Sequence, residues 1–376
     1  MEFTEKKNLK NLKKILSKEI YSRVLIVTGK NSFSKSGAKK TILNLLSNKK
    51  IKIFFKKSKI PDIKELNILI SLIKTFNPNL IISVGGGATL DLSKIANVLY
   101  DVKNLKKRIL SDNYSFNKKF CDLIAIPTTA GSGAEVTTNA VIYVENKKFS
   151  VESNLIKPSD SFIFPEFVIS NKFKTKVSSA FDALSQAIES LISVKSSDES
   201  LRYSIKSIRF FLSSYNAYVK SNNINNTYNM CLSAYYSGKA ISITKTTAPH
   251  AVSYPFTSYF GVDHGHAVSL TLLEFLRFNY ENLSLSLTKF NLKKRYNILF
   301  KLFNVKNIDD FLTKLNHIKI IFRLESNLIK INKKIPNKIN LILDNVNIQR
   351  LTNNPVIVTK KNIMDILNTK IKEAKN

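Results

Sequence analysis

The pattern of apolar and polar positions along the chain changes near residue 170. Before that point, short runs rich in β-branched residues alternate with amphipathic segments, and such runs are typical of buried strands. The runs are RVLIVT at 23–28, IKIFF at 51–55, NLIISV at 79–84 and DLIAIP at 122–127. Between the second and third, Pro61 suits a helix start and apolar residues recur every three or four positions. This alternation predicts a Rossmann-like α/β domain with a parallel sheet over residues 1–170.

After residue 170 the apolar residues fall at helical spacing, for example in KVSSAFDALSQAIESLIS, ESLRYSIKSIRFFLSSYNAYV and HAVSLTLLEFLRFN. We therefore predict an all-α domain over residues 171–376. A chain of 376 residues is long enough for two domains. The cleft between two such domains is the expected place for a ligand.

The composition is strongly basic, with 59 Lys and Arg against 27 Asp and Glu and a formal net charge of +32. Such a balance is compatible with a nucleic-acid partner or an anionic membrane surface. Nearly all of the positive charge is lysine scattered among Asn and Ile, whereas phosphate recognition usually concentrates arginine. An AT-biased genome produces the same composition. We therefore expect no nucleic acid and no membrane as partners, and the charge remains compatible with a small anionic substrate.

The two cysteines, Cys121 and Cys231, are far apart and form no CxxC pattern, so the sequence indicates no disulfide scaffold. The segment MEFTEKKNLKNLKKIL lacks the apolar core of a signal peptide. No stretch approaches the roughly 18 apolar residues of a membrane span. We therefore expect a cytoplasmic protein.

Two loops rich in small residues follow neighbouring predicted strands. The first contains Gly85, Gly86, Gly87 and Ala88 and leads into a predicted helix with Asp91, and the second offers Thr128, Thr129, Ser132 and Thr137. Glycines let the backbone approach an anion, and a helix amino terminus supplies N–H donors. Because ligands of open α/β sheets collect at the carboxyl ends of the strands, these residues are predicted to bind a dinucleotide. The spacing is not GxGxxG, so ordinary tight turns remain the alternative.

Two of the four histidines, His250 and His264, flank the stretch AVSYPFTSYFGVD. Imidazole nitrogen is a common ligand of Zn²⁺ or Fe²⁺, and an acidic oxygen would complete such a site. Asp182, in the apolar-flanked segment FDALSQAIES, needs a partner if it is buried. The three residues are predicted to hold a divalent metal, and histidines satisfied within a core are the alternative.

Four segments together resemble the diagnostic blocks of the iron-containing (group III) alcohol dehydrogenases, in the same order and at appropriate distances. They are VGGGATLDLSK, AIPTTAGSGAEVT, DALSQAIES and APHAVSYPFTSYFGVDHGHAV. The resemblance implies an amino-terminal nucleotide-binding domain and a carboxy-terminal helical metal-binding domain, the dehydroquinate synthase-like fold. It also implies an NAD(P)-dependent alcohol dehydrogenase or aldehyde reductase.

In that family an Asp, a His four residues later and two further histidines hold the metal, and Asp182, His250 and His264 match three of these positions. Gln186 stands where the usual pattern has His. It shares a helix face with Asp182, but an amide oxygen is a weaker ligand than imidazole, so the choice between Fe²⁺ and Zn²⁺ stays open. Tyr254 stands where many members carry a further active-site His, which makes it a candidate proton relay, with a packed core aromatic as the alternative.

The blocks DALSQAIES, ITKTTAPHAVSYPFTSYFG and HGHAV are more narrowly similar to the phosphonoacetaldehyde reductase branch of that family. This similarity implies reduction of phosphonoacetaldehyde to 2-hydroxyethylphosphonate in phosphonate biosynthesis. A doubly charged phosphonate needs cations or N–H donors. Lys245, just before His250, is the first candidate for that contact, and a solvated surface position is its alternative. His266 is the second candidate and a further candidate proton relay.

The cofactor can be argued from one position. The family often places an Asp after the first strand to bind the ribose hydroxyls, as acidic residues do in NAD sites generally. Here Gly29 occupies that position beside Lys30, and no carboxylate opposes a 2′-phosphate. We therefore predict NADPH, with NADH as the alternative if Gly29 only forms a turn.

Other functions remain open at this level. The same fold serves dehydrogenases for other small alcohols, polyols or aldehydes. Gln186 also admits a relative that binds dinucleotide without turnover, and the net charge admits a nucleic-acid-binding protein. A homodimer is compatible with all of these.

Overall fold

The structure, a computed structural model, describes residues 1–5 and 8–373. The chain divides into two compact units. The first comprises Met1–Lys172 and Asn222–Gly238, and the second comprises Phe173–Ser221 and the chain from Lys239 onward. The predicted domains are residues 1–170 and 171–376. The segment Asn222–Gly238 lies within the range of the second predicted domain but packs with the first unit.

The first unit is built on a parallel sheet. Its strands, with the antiparallel hairpin formed by β6 and β7, are β1 (Glu2–Phe3), β2 (Arg23–Gly29), β3 (Lys50–Lys56), β4 (Leu80–Gly85), β5 (Asp122–Pro127), β6 (Asn139–Val144), β7 (Lys147–Glu152) and β8 (Asp160–Phe162). Within the described residues, the sheet order is β1-β8-β5-β4-β2-β3, and every neighbouring pair runs parallel. The four apolar runs recognised in the sequence form three of the inner strands, β2, β4 and β5, and the edge strand β3.

Helices cover both faces of this sheet. They are α1 (Leu9–Leu16), α2 (Lys30–Lys35), α3 (Ala38–Leu45), α4 (Ile63–Phe76), α5 (Gly87–Val98) and α6 (Leu105–Leu110). Leu25 and Val27 of β2 pack into the core that contains α4 and α5, whereas Val24 and Ile26 pack into the core that contains α1 and α3. Since alternate residues of a strand point to opposite faces, the uninterrupted apolar runs are explained by burial on both sides.

The second unit is helical. Helix α10 (Ile224–Thr244) begins in the first unit and ends in the second, from Lys239 onward. The other helices of the second unit are α7 (Phe173–Ile192), α8 (Asp198–Leu212), α9 (Tyr215–Lys220), α11 (Ala248–Phe260), α12 (His264–Ser269), α13 (Leu272–Glu281), α14 (Leu292–Phe303), α15 (Ile308–Ile321), α16 (Leu328–Ile331), α17 (Ile339–Asp344), α18 (Ile348–Leu351) and α19 (Lys360–Glu373). Short 3₁₀ turns lie at Asn154–Ile156 and Pro165–Phe167 in the first unit and at Leu283–Leu285 and Pro336–Lys338 in the second. The predicted fold class, a parallel α/β sheet followed by an all-α part, is confirmed.

Two predicted helical segments are each divided. The segment that starts at Glu199 breaks at Ser213 and Ser214, where the hydroxyl of Ser213 bonds back to the carbonyl oxygen of Phe210. Such local bonds compete with helix continuation. The second break, at Leu270 and Thr271, separates α12 from α13. Among the described residues, no helix combines the length and the apolar character needed to cross a bilayer.

Candidate active site

Three side chains of the second unit converge on one point. Asp182 lies in the middle of α7, His250 in the first turn of α11 and His264 at the start of α12. Their ligand atoms all lie within 4.8 Å of one another, and His250 Nε2 is 3.1 Å from Asp182 Oδ1. Asp182 and His250 are buried and His264 is half-buried. The structure therefore brings together the three predicted ligands that are carboxylate or imidazole.

A second buried carboxylate, Glu189, stands behind this cluster. It lies seven residues after Asp182 on the same face of α7 and is fully buried. His250 Nδ1 bonds to Glu189 Oε1, and Glu189 Oε2 accepts from Thr247 N at 2.7 Å and from Thr247 Oγ1 at 2.9 Å. Sequence reasoning missed Glu189. The acid at spacing i, i+7 from Asp182 is the signal that could have found it.

The electrostatics of the cluster suit a cation. Burial lowers the pKa of His250, but Glu189 and Asp182 raise it more strongly, and the resulting pKa is about 10. The imidazole is therefore protonated at neutral pH and supplies the positive charge that two buried carboxylates require. A divalent metal would replace the Nε2 proton and supply the positive charge in its place, and one carboxylate with two imidazoles is a donor set typical of Fe²⁺ and Zn²⁺. The residues present fit such an ion.

A close backbone contact holds α12 against α7. A Cβ built on Gly265 would overlap the carbonyl oxygen of Ser178 and would lie 2.9 Å from the backbone nitrogen of Asp182. The backbone N–H of His266 also donates to Ser178 Oγ at 3.2 Å. The absence of a side chain at Gly265 therefore lets His264 approach Asp182.

Two further predicted residues lie around the cluster. Gln186 is buried one turn after Asp182, on the same face of α7. Tyr254 is buried one turn after His250, and its ring stacks on that of His264 with centroids 5.6 Å apart and planes inclined by 18°. Tyr254 is thus both a packed aromatic and a neighbour of the predicted metal ligands.

The other two predicted residues of this unit have different surroundings. His266 follows His264 by two positions, and residues at that spacing do not share a helix face. Its Nε2 lies 2.7 Å from the backbone oxygen of Glu325, and burial lowers its pKa. The structure therefore does not bring His266 into the cluster. Lys245 is half-buried just after α10, with a left-handed backbone (φ 62°) two residues before Thr247.

The predicted dinucleotide residues lie in the first unit, where the two small-residue loops meet. β4 ends at Gly85, α5 begins at Gly87, and the loop after the adjacent strand β5 packs against them. A Cβ on Gly87 would lie 2.5 Å from Ser132 Oγ, and one on Gly86 would lie 3.4 Å from Thr129 Oγ1. The cradle is partly open, because five of its residues are half-buried: Gly86, Gly87, Ala88, Thr129 and Ser132. Its position at the first turn of a 12-residue helix suits an anion.

Lys94 of α5 fixes the second loop, and sequence reasoning missed it. Its buried ammonium donates to the backbone oxygens of Ala134 and Asn139 at 3.0 and 2.6 Å and to Thr137 Oγ1 at 2.8 Å. Asp91 lies 3.9 Å from this ammonium and accepts from Val141 N at 3.1 Å. Burial raises the pKa of Asp91. The contacts of Asp91 and Thr137 are thus with the protein itself.

The remaining predicted residues lie at the carboxyl ends of strands β2 and β5. Gly29 ends β2 and precedes α2 with φ −88°, and the exposed Lys30 follows it. Thr128 is buried after β5, and its N–H donates to the carbonyl oxygen of Gly85 at 2.9 Å. Thr128 therefore connects the two loops at adjacent strand ends.

Two family models match the chain in succession. The one described as "Iron-containing alcohol dehydrogenase" matches residues 3–170, and the one described as "Fe-containing alcohol dehydrogenase family, C-terminal" matches residues 176–371. Together they account for nearly all of the chain.

The sequence identities to individual relatives are low. The phosphonoacetaldehyde reductase of Streptomyces viridochromogenes is 28% identical over 218 residues, which are 55% of this chain and 55% of the relative. The 4-hydroxybutyrate dehydrogenase of Clostridium kluyveri is 29% identical over 226 residues, which are 59% of this chain and 60% of the relative. The chain thus spans little more than half the length of the curated relatives it matches.

Among solved structures, the sulfoacetaldehyde reductase from Bifidobacterium kashiwanohense in complex with NAD⁺ superposes with a TM-score of 0.87. It is 24% identical, and the superposition covers 99% of this chain and 96% of that one. At this identity the likeness concerns the fold.

Proposed function

Since the chain belongs to the iron-containing alcohol dehydrogenase family, whose members are oxidoreductases acting on alcohols and aldehydes, we propose that it reduces an anionic aldehyde to a primary alcohol. The favoured substrate is phosphonoacetaldehyde and the favoured product is 2-hydroxyethylphosphonate. The balanced reaction consumes one aldehyde, one reduced nicotinamide dinucleotide and one proton, and it releases the alcohol and the oxidised dinucleotide.

The observation that carries this proposal is the convergence of Asp182, His250 and His264, with ligand atoms within 4.8 Å of one another. These three side chains would hold a divalent cation, with the amide oxygen of Gln186 as an additional weak donor. When bound, such a cation is a Lewis acid that polarises a carbonyl oxygen, and the nicotinamide supplies the hydride. The protein contributes position and charge.

Tyr254 is the favoured residue for delivering the proton to the product oxygen. Its ring stacks on His264, which places the phenol beside the donor cluster. A phenol carries its proton at neutral pH, and transfer of that proton to the more basic product oxygen leaves a phenolate that takes a proton from solvent. His266 is the weaker candidate, because its Nε2 lies 2.7 Å from the backbone oxygen of Glu325. In this scheme Tyr254 holds the proton and solvent replaces it.

The anionic substrate is supported by relatives and by charge. Two curated relatives are named for compounds that carry an anionic group, phosphonoacetaldehyde and 4-hydroxybutyrate. The net charge of +32 favours capture of an anion in general. Lys245 is the proposed partner of the anionic group, because it lies close in sequence to His250.

We propose NADPH as the reductant. The carboxyl end of β2 carries Gly29 and the exposed Lys30, so no carboxylate there opposes a 2′-phosphate. The half-buried glycines at the start of α5 would receive the pyrophosphate. NADH remains the alternative reductant.

An uncharged substrate is the competing proposal. Another curated relative is the long-chain-alcohol dehydrogenase 1 of Geobacillus thermodenitrificans, 29% identical over 197 residues. The donor cluster itself serves any aldehyde, since it would act on the carbonyl oxygen alone. The choice therefore depends on residues that recognise the rest of the substrate.

The test is the initial rate of NADPH oxidation by purified protein reconstituted with Fe²⁺ or Zn²⁺. Phosphonoacetaldehyde, 4-oxobutanoate, acetaldehyde and lactaldehyde are compared, with and without a chelator, and His264→Ala is the inactive reference. A preference for phosphonoacetaldehyde that the chelator removes supports the full proposal. A preference for 4-oxobutanoate keeps the anionic class and changes the substrate. Turnover of the uncharged aldehydes alone contradicts the anionic class, and no turnover with either metal contradicts the reductase itself.

A further inference from the structure

The carboxylate of Glu189 receives three hydrogen-bond donors inside the second unit. They are His250 Nδ1, Thr247 N at 2.7 Å and Thr247 Oγ1 at 2.9 Å. Both Glu189 and Thr247 are fully buried. The carboxylate is therefore held by Thr247, which immediately precedes α11, and by the ring of His250 in the first turn of that helix.

This arrangement fixes the orientation of the His250 ring. With Nδ1 bonded to Glu189 on one side, the opposite nitrogen Nε2 points to Asp182, 3.1 Å away. A buried imidazole held at Nδ1 cannot turn about χ2 without breaking its hydrogen bond to Glu189. Because the proton shared with Glu189 stays on Nδ1, Nε2 is the nitrogen that would give up its proton and bind a cation.

We propose that Glu189, itself held by Thr247, is the positioning residue that presents Nε2 of His250 to a metal ion. The inference rests on the proposed function, because it assumes that Asp182, His250 and His264 bind the metal. Glu189 touches neither substrate nor metal in this scheme. It acts through His250 by fixing the ring and by making its free nitrogen a better donor.

The chemistry of the pair predicts what a neutral replacement does. A carboxylate accepts through two oxygens, whereas the amide of Glu189→Gln has one oxygen and one NH₂ group. Three donors converge on this side chain, so the NH₂ group must face one of them. Either His250 Nδ1 or Thr247 then loses its acceptor, and the ring is no longer held at both ends.

The experiment measures metal binding without substrate or dinucleotide. Co²⁺ is the probe, because its visible absorption bands report the geometry of its ligands. Competition between Zn²⁺ and bound Co²⁺ then gives the affinity of the site for Zn²⁺. The variants are Glu189→Gln and Thr247→Val, which removes only the hydroxyl donor. Ser185→Ala is the matched control. Ser185 is equally buried on α7, and its hydroxyl bonds within that helix to the oxygen of Phe181 at 2.8 Å.

Glu189→Gln is expected to bind Co²⁺ about 10- to 100-fold more weakly and to alter its absorption bands. Thr247→Val is expected to weaken binding less, and Ser185→Ala to match the wild type in both measurements. Wild-type affinity and bands in folded Glu189→Gln would overturn the positioning role and leave the proposed function standing. If Glu189→Gln does not fold, unchanged affinity and bands in Thr247→Val would overturn it. A wild-type protein that binds neither Co²⁺ nor Zn²⁺ would overturn both proposals.

Discussion

Gly265 lies against Ser178 so closely that a β-carbon on the glycine would overlap the serine carbonyl oxygen. The contact joins the start of α12 to the middle of α7, next to Asp182. His264 is the residue immediately before Gly265, and its distance from Asp182 depends on this close approach. A single missing methyl group thus sets the geometry of the donor cluster.

Gly265→Ala should therefore weaken metal binding and the fold together. Overpacking of this kind costs about 1–3 kcal/mol of unfolding free energy. The displaced α12 should also lower the affinity for Co²⁺, which titration of the purified variant would measure. Gly86→Ala is the control, because a Cβ there would lie 3.4 Å from its nearest neighbour. An alanine at residue 265 that leaves Co²⁺ affinity unchanged would show that α12 can shift without moving His264.

Gln186→His should tighten metal binding. Gln186 is buried one turn after Asp182, and an imidazole there would replace a weak amide donor by a strong one. We expect the affinity for Zn²⁺ in competition with a chromophoric chelator to rise by about 10-fold or more. Gln186→Leu, whose side chain has no ligand atom, tests whether Gln186 itself binds the metal in the wild type. If the Gln186→Leu variant binds Zn²⁺ as tightly as the wild type does, then Gln186 contributes nothing to the wild-type site.

Gly29→Asp should move the cofactor preference toward NADH. A carboxylate at the end of β2 would bind ribose hydroxyls and repel a 2′-phosphate. The new Cβ would lie 2.9 Å from Ser32 Oγ, which sits on a short rotatable side chain. The ratio of kcat/KM for NADPH to that for NADH should fall by about 10-fold or more, a change of roughly 1.4 kcal/mol. Gly29→Ala carries the same steric change without the charge, and an equal fall in that variant would contradict the electrostatic explanation.

Lys319 of α15 is a buried cation whose protonation should couple to stability. Burial and the charge of Lys370 lower its pKa to about 8, against the opposing effect of Glu274. An unfolded lysine titrates near 10.4. Between about pH 8 and pH 10.5 the unfolded chain therefore binds more protons than the folded one, so this group makes the protein more stable as the pH rises.

The measurement is chemical unfolding of the wild type and of Lys319→Met at pH 7 and pH 9.5. The wild type should gain roughly 2 kcal/mol relative to the variant over this interval. At pH 7 the methionine variant should be the more stable of the two, because its side chain needs no charge in the interior. A difference between the two proteins that does not change with pH would mean that Lys319 stays protonated in the folded state.

The sheet could be predicted from the sequence because its inner strands are buried on both faces. Each of the four apolar runs recognised in the sequence matches a strand of the structure to within one residue at each end. The strands that escaped prediction are short or partly exposed. β8 has three residues, and β7 carries Lys147 and Lys148. β6 is different, because its sequence NAVIYV does contain a buried apolar run, which sequence reasoning missed.

The candidate site was harder to predict for a different reason. Sequence spacing on α7 places Asp182, Gln186 and Glu189 on one face, but it does not show which of them meets a histidine from α11. The pairing of Glu189 with His250 depends on the packing of two helices whose contacting residues are about 60 positions apart. The contact of His266 with Glu325, in the loop between α15 and α16, is similarly distant in sequence. Lys94 was missed for the same reason, because its hydrogen-bond acceptors lie about 40 or more residues further along the chain.

The close contacts of several glycines also determine which positions of the chain can accept a side chain. The chain has only 10 glycines in 376 residues. The backbones of Gly133 and Gly238 contact each other in the first unit, so a side chain on either glycine would overlap the backbone of the other. Gly87 and Gly265 are similarly constrained. At these four positions the neighbouring atoms already occupy the space that a β-carbon would need.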